Sequence, residues 1–322
     1  MVSMPFSNRV IVRAPATTAN LGPGFDVFGM AFEHPCDKIT ISLADKEIKI
    51  EVHGKNAPQI PADPRKNTAG VVAENILKEF SLNAGLFIKI EKEIPTGVGL
   101  GSSAASAAAV AYGLNHLFKL NLDYTELIRL SAKGEIASAG FEHADNVSAA
   151  ICGDFIIIKS YTPLEIIRLK PPPNLGVCIA VPRMSILPKK TEKARAVLPE
   201  MVSMDKLRHN VGHAASMAAG FAIGNLRLIG SSMCDAVVEP ARAFMIPGYQ
   251  QVKAMALKAG ACGVAISGAG PSMLAIVDEN EGDLVASKVA RAMEEGFKAA
   301  GVNSEVFYTK PGNGVSLLEA NE

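Results

Sequence analysis

Three glycines alternate with other residues in Ile94-Pro95-Thr96-Gly97-Val98-Gly99-Leu100-Gly101-Ser102-Ser103-Ala104-Ala105, and no other stretch restricts the fold of this chain so strongly. A β-rich run, Leu86-Phe87-Ile88-Lys89-Ile90, leads into it, and an alanine-rich run that should be helical leaves it. Glycine lets a backbone turn tightly and approach a ligand with no Cβ in the way. The following helix offers unpaired N–H groups and the positive end of its dipole, which together suit a phosphate. Ser102 and Ser103 stand where a hydroxyl can cap that helix or reach a phosphate-bound magnesium ion. The segment reads as a nucleoside triphosphate cradle. It is not a Walker A loop, which ends Gly-Lys-Ser/Thr, nor a dinucleotide fingerprint, whose glycines are spaced G-x-G-x-x-G. On this segment alone, a plain strand-to-helix turn with a serine cap is the competing reading.

Two further motifs weigh against that reading. Near the N-terminus, Val10-Ile11-Val12 leads into Ala14-Pro15-Ala16-Thr17-Thr18-Ala19-Asn20-Leu21-Gly22-Pro23-Gly24-Phe25-Asp26. Pro23 and Gly24 fix a turn that can present Asn20 and Asp26 on one side. Later, Ser267-Gly268-Ala269-Gly270-Pro271-Ser272 separates the apolar runs Gly263-Val264-Ala265-Ile266 and Met273-Leu274-Ala275-Ile276-Val277, as a glycine turn between two strands would. Taken together and in this order, the three motifs resemble the GHMP family of small-molecule kinases, from Arg13 to about Val277. Three elements are most similar to its homoserine-phosphorylating branch: Asn20-Leu21-Gly22-Pro23-Gly24-Phe25-Asp26, His143-Ala144-Asp145-Asn146, and Glu239-Pro240-Ala241-Arg242 followed by Ile246-Pro247-Gly248.

The resemblance implies an α+β chain of two domains. An N-terminal nucleotide-binding domain would cover 1–170 and a ferredoxin-like domain 171–322, with the active site in the cleft between them. It implies ATP bound by Pro95, Thr96, Gly97, Val98, Gly99, Leu100, Gly101, Ser102, Ser103, Ala104 and Ala105. It also implies Mg²⁺ held by Ser103 and Glu135, whose hard oxygens suit that ion. Without the resemblance, Glu135 is a solvated helix carboxylate and Arg195 and Arg242 are ordinary surface arginines. With it, both guanidiniums bind the substrate's α-carboxylate through paired hydrogen bonds. Asp26 is the first choice for the α-ammonium and Asp145 the second, while Asp26 contacting the reacting hydroxyl stays open. Asn20 and Gly268 complete the substrate set. Asn146 replaces the aspartate of mevalonate-type relatives, and an amide is no general base at neutral pH. It would position the hydroxyl, with Glu135 and Asp26 as the other catalytic groups; locally, Asn146 also reads as a helix cap.

Composition agrees with a metabolic enzyme. The chain has 322 residues, long for one core, and its 32 basic and 32 acidic side chains balance. That balance argues against nucleic acid or an anionic membrane as partner. Cys36, Cys152, Cys178, Cys234 and Cys262 form no C-x-x-C and read as reduced thiols. The N-terminus lacks an apolar signal core and the alanine run is broken at Asn115 and His116, so a cytoplasmic location is expected. A homodimer is a family expectation only.

The coarse element reading starts with a hairpin over 38–52, from the alternation of Ile39, Ile41 and Leu43 with Ile48, Ile50 and Val52. Helices are predicted over 68–80, 123–139 and 145–151, and a buried strand over 155–158. The prolines of Lys170-Pro171-Pro172-Pro173-Asn174 make the best linker. A strand over 177–181, two or more helices through 233 and a helix over 249–259 follow. Strands on either side of Gly268, a helix over 282–300 and a last strand over 304–308 end the chain in a split βαβ order. His209 and His213 share a helical face, but Asn210 replaces the glutamate of H-E-x-x-H and no third ligand is apparent. Polar packing or a substrate contact is therefore expected there. Lys189, Lys190, Lys206 and Arg208 read as solvated charges. The alternatives carried forward are a GHMP kinase for mevalonate or shikimate, and a non-catalytic ligand-binding paralogue. Retention of Glu135, Ser102 and Ser103 speaks against the second.

Overall fold

The computed structural model describes residues 8–54, 57–139, 144–185, 190–282 and 284–321; His143 and Lys189 lie outside the described residues. The first half runs β1 (Arg9–Asn20), β2 (Gly24–Ala44), β3 (Ile48–Gly54), α1 (Thr68–Glu79), β4 (Gly85–Lys92), α2 (Ser102–Leu117), α3 (Tyr124–Ala139), α4 (Asp145–Cys152), β5 (Phe155–Tyr161) and β6 (Leu164–Leu169). The second half runs β7 (Leu175–Pro182), α5 (Lys190–Ala196), α6 (Met204–Ile223), α7 (Leu226–Ser231), α8 (Val238–Arg242), α9 (Tyr249–Lys258), β8 (Gly263–Ile266), β9 (Met273–Asp278), α10 (Val285–Ala299), β10 (Ser304–Thr309) and β11 (Ser316–Asn321).

Seven strands form the first sheet, in the order β11-β1-β2-β4-β3, with β5 pairing β2 and β6 pairing β5. The hairpin expected over 38–52 does not form. β2 and β3 do not pair; β4 lies between them, antiparallel to β2 and parallel to β3. Alternation of apolar residues marks strands but carries no information about which strand is the neighbour. The β3–α1–β4 unit is a parallel crossover, and Asn67 starts its helix by accepting the Ala69 N–H at 3.0 Å. Two strands were also missed: β6, and β11, which follows β10 and returns to pair with β1.

Alanine explains the centre of this half. The α2 sequence SSAASAAAVAYGLNHL is buried on almost every side. A Cβ at Gly113 would stand 2.6 Å from Ile41 Cδ1, so small side chains let the helix sit close on β1 and β2. The second sheet, β10-β7-β9-β8, is antiparallel throughout and has the ferredoxin-like order expected from sequence. Val252, Met293 and Phe297 from α9 and α10 are buried against one of its faces. Leu274, Ile276 and Ile179 from the same strands join the core cluster of the first half. No helix among the described residues is long and apolar enough to cross a membrane.

Candidate active site

All three glycines of the 97–101 loop are left-handed, with φ of 72° at Gly97, 89° at Gly99 and 64° at Gly101. L-residues adopt this backbone only at a cost that achiral glycine does not meet, so the alternating glycines are a conformational requirement. Gly101 is the N-cap of α2, and among the described residues no side chain caps that helix end. Neither serine therefore caps: the Ser102 hydroxyl donates to the Ile94 carbonyl at 3.4 Å, and that of Ser103 donates to Glu135 Oε2 at 3.0 Å.

The three sequence motifs meet around this loop. Thr17 N donates to the Leu100 carbonyl at 3.1 Å, and Ser272 N to that of Val98 at 3.1 Å. Ser267 Oγ donates to the Gly99 carbonyl at 2.7 Å. A Cβ at Gly99 would stand 2.2 Å from the Ser267 carbonyl oxygen, and one at Gly101 1.9 Å from Thr17 Oγ1. A side chain at either glycine thus collides first with the protein's own walls. A Gly101→Val variant would report on that packing before it reported on phosphate.

Beneath the loop lies an ion pair that the sequence reading passed over. Lys92, at the end of β4, is 7 % exposed and donates to the Asp37 carboxylate, to the Ser102 carbonyl at 2.9 Å and to Ser106 Oγ at 3.3 Å. Asp37 in turn accepts from the N–H groups of Glu93 at 2.9 Å and Ile94 at 3.0 Å. Burial lowers the Lys92 pKa, and Asp37 and then Glu135 oppose that shift. The only sequence signal was its position directly before the loop.

A charged cluster forms another wall. Asn20 Nδ2 donates to the Gly268 carbonyl at 2.9 Å, and Asn20 Oδ1 accepts from Asp26 N at 3.2 Å. Asn20, Leu21 and Asp26 all have positive φ, at 71°, 46° and 57°. Leucine is unfavourable in this region, and its burial at 0 % exposure holds the turn. Arg195 Nη2 donates to Asp26 Oδ2 at 2.5 Å. The guanidiniums of Arg195 and Arg242 lie 5.1 and 5.4 Å from the Phe25 ring centre. Arg242 is 5 % exposed, and donates to the carbonyls of Ala194 at 2.9 Å and Gly268 at 3.2 Å. Burial lowers its pKa to about 10, against the pull of Asp26.

Asp145 and Asn146 open α4 between these walls. Thr17 Oγ1 donates to Asn146 Oδ1 at 2.9 Å, while Asn146 N and Nδ2 donate to Asp145 Oδ1 at 2.7 and 3.3 Å. Burial, and then the Asp26 charge, push the Asp145 carboxyl up to about 6. Lys190 is not a freely solvated charge: it is half-buried and donates to the Gly270 carbonyl, and desolvation and then Arg242 bring its pKa down to about 7.

One cavity of about 520 Å³ joins the two walls. Asn20, Asp26, Glu135, Asp145, Asn146, Arg195, Arg242 and Gly268 all line it, with Thr96, Gly97, Gly99, Leu100, Gly101, Ser102, Ser103 and Ala104. Pro95, Val98 and Ala105 do not; the latter two belong to the hydrophobic core. Sequence reasoning missed Phe25, Lys92, Lys190 and Thr191 on this surface, and also 59–61 and 66–68.

Comparison with known proteins agrees with this geometry. The profile of the GHMP kinases N terminal domain matches residues 67–154, and that of the GHMP kinases C terminal matches 217–295. The homoserine kinase of Methanococcus vannielii is 41% identical over 313 residues, covering 97% of this chain and 99% of the relative. That of Halorubrum lacusprofundi is 43% identical over 310 residues, covering 96% and 99%. The crystal structure of homoserine kinase from Cytophaga hutchinsonii superposes with a TM-score of 0.89 at 34% identity, covering 99% of this chain and 100% of that one. Mevalonate diphosphate decarboxylase from Staphylococcus aureus, 14% identical with a TM-score of 0.68, shares the fold. The chain belongs to the GHMP kinase family and, within it, groups with the homoserine kinases.

Proposed function

We propose that this chain transfers the γ-phosphoryl group of ATP to the side-chain hydroxyl of L-homoserine, giving O-phospho-L-homoserine and ADP. The observation that carries the reading is the pairing of walls. A glycine cradle stands on one side of Asn146, and two arginines with two carboxylates stand on the other. Arg242 and Arg195 take the α-carboxylate, and Asp26 and Asp145 face the α-ammonium. Such a set fits a zwitterion better than mevalonate or shikimate, which carry no ammonium group. Asn146, held by Thr17, orients the hydroxyl toward the phosphates. The proton needs no dedicated base, because positioning and charge neutralisation supply most of the acceleration in phosphoryl transfer.

Ser103 and Glu135 would hold Mg²⁺, and their donor set fits: a hydroxyl and a 6 % exposed carboxylate, both hard oxygens, adjacent on the cavity wall. When bound, the ion would neutralise charge on the triphosphate. A cytoplasmic location, a domain division after residue 170 and a homodimer belong to the same reading. An ADP-release assay across homoserine, mevalonate, shikimate and galactose tests it. Homoserine should give the highest kcat/KM by orders of magnitude. Comparable turnover of mevalonate or shikimate would overturn the substrate assignment, and no turnover of any of the four would favour a ligand-binding paralogue.

A further inference from the structure

On α6, His209 and His213 lie one turn apart with their rings stacked, centroids 4.0 Å apart and planes 25° from parallel. The sequence offered no third ligand, but the fold does. The thiol of Cys234, in the segment after α7, and one ring nitrogen from each histidine all lie within 4.8 Å of one another. Atoms bound to one zinc ion at about 2.0–2.3 Å sit roughly 3.5 Å apart, so closing the set takes a shift of about 1 Å. Cys234 is exposed, so its side chain can turn to supply that shift.

Three details point to a ligand. His213 Nδ1 lies 2.9 Å from the His209 carbonyl oxygen, which places the proton on Nδ1 and leaves the Nε2 lone pair for an ion. Metal-binding histidines are oriented through their second nitrogen in this way. His209 Nε2 is buried with no hydrogen-bond partner among the described residues, a condition that polar atoms in folded proteins rarely tolerate. Asn210, where H-E-x-x-H has its glutamate, grips the segment that carries the cysteine. Its Oδ1 accepts from Ala236 N at 2.9 Å and its Nδ2 donates to Asp235 Oδ1 at 2.8 Å. Asp235 accepts from the N–H groups of Val237, Val238 and Glu239 at 2.8, 2.9 and 2.6 Å, so the clamp is anchored at both ends. Nearby Arg208 would repel a cation, but Asp205 pairs with it at 2.9 Å.

We propose that His209, His213 and Cys234 bind one thiophilic transition-metal ion of the Zn²⁺ class, with a fourth position open to water. Two imidazoles and a thiolate suit such an ion and discriminate against Mg²⁺, which requires oxygen ligands. On binding, the Cys234 thiol releases its proton to solvent and its sulfur donates an electron pair to the metal; nothing is oxidised. The site adjoins the substrate turn. A Cβ at Gly22 would stand 3.1 Å from the Met233 carbonyl carbon and 3.3 Å from Cys234 N. An ion there braces the loop that carries Asn20 and Asp26.

The test uses chelator-treated full-length protein titrated with Co²⁺ as a spectroscopic probe. One equivalent should bind with an intense thiolate-to-cobalt absorption band that Zn²⁺ abolishes and excess Mg²⁺ does not. Cys234→Ser should lose the band, and His213→Gln should weaken Co²⁺ binding at least tenfold. The metal-free variants should melt with metal-free wild type, since neither removes a core side chain. Weak binding, binding without the thiolate band, or a band unchanged in Cys234→Ser overturns the proposal. Cobalt at the oxygen ligands Ser103 and Glu135 cannot produce that band, so the two sites are distinguished.

Discussion

The two walls of the cavity are built from different materials. The glycine wall is mainly backbone: left-handed residues, carbonyls that accept from β1 and from the β8–β9 turn, and a helix end that no side chain caps among the described residues. Lys92 and Asp37 underpin it from within. The arginine wall is side chain. It sets Arg195 and Arg242 against the Phe25 ring and pairs Arg195 with Asp26, with burial shifting the pKa values of Arg242 and Asp145. A backbone wall can read the triphosphate common to every reaction of the family. A side-chain wall can be exchanged to read one acceptor. The contrast predicts that damage to the first wall lowers kcat for any acceptor, and damage to the second changes selectivity.

The largest effect belongs to Glu135. Glu135→Gln keeps the volume and the hydrogen bond to Ser103 but removes the charge. If Glu135 holds Mg²⁺ as proposed, its loss should cost several kcal/mol of transition-state stabilisation, on the order of a thousandfold in kcat. The defect should be equal for homoserine and for poor acceptors, because the wall is generic. Near-normal turnover at saturating Mg²⁺ would remove Glu135 from the metal site.

Next is the foundation of the glycine wall. Lys92→Met strands the Asp37 carboxylate in a buried site, and breaking one partner of such a pair costs about 3–4 kcal/mol. Chemical denaturation should show that loss, and Lys92→Met with Asp37→Asn should recover part of it. A variant that keeps its stability but loses ATP affinity would instead make Lys92 a phosphate contact.

These walls also differed in how far the sequence disclosed them. Alternating glycines between a β run and an alanine run state a backbone conformation directly, so the loop and its helix were readable. Arg195 and Arg242 carry no local signature, and only the resemblance to a family selected them; the Pro23-Gly24 turn marked Asp26, but only the resemblance gave it a role. Lys92 and Lys190 were lost because lysine is ordinarily exposed, and only tertiary packing buries Lys92 and half-buries Lys190. The 38–52 hairpin failed for a related reason: a strand's neighbour is fixed by the whole sheet, here by the insertion of β4. Cys234 approaches the two histidines through a turn between α7 and α8, a juxtaposition that spacing along the chain does not encode.

The selectivity claim is sharpened at Arg242. Arg242→Leu leaves a substrate carboxylate without a charged donor, at a cost of about 1.5–3 kcal/mol, or roughly ten- to more than a hundredfold in kcat/KM for homoserine. The KM for ATP should stay within about twofold, since the other wall is intact. The variant should also discriminate far less against homoserine esters, whose carboxylate charge is gone. Should it keep wild-type kcat/KM and still reject the ester, carboxylate reading would fall to Arg195.

The smallest effect concerns proton binding at Asp145, which separates the two candidates for the ammonium. Its pKa is raised from the ordinary 3.8 to about 6 by burial and by Asp26, so the folded chain holds this proton more tightly than the unfolded one. The resulting stability is complete below about pH 4 and is lost as pH rises through about 6. Catalysis has the opposite sign, because an ionised Asp145 is what attracts an ammonium. If Asp145 reads it, kcat/KM for homoserine should be about half its plateau at pH 6 and about a tenth one unit lower. Asp145→Asn should lower the plateau and remove that acid limb, while the limb for ATP at saturating homoserine stays unchanged. A limb near pH 6 that survives in Asp145→Asn would show that Asp145 is not the group that reads the ammonium.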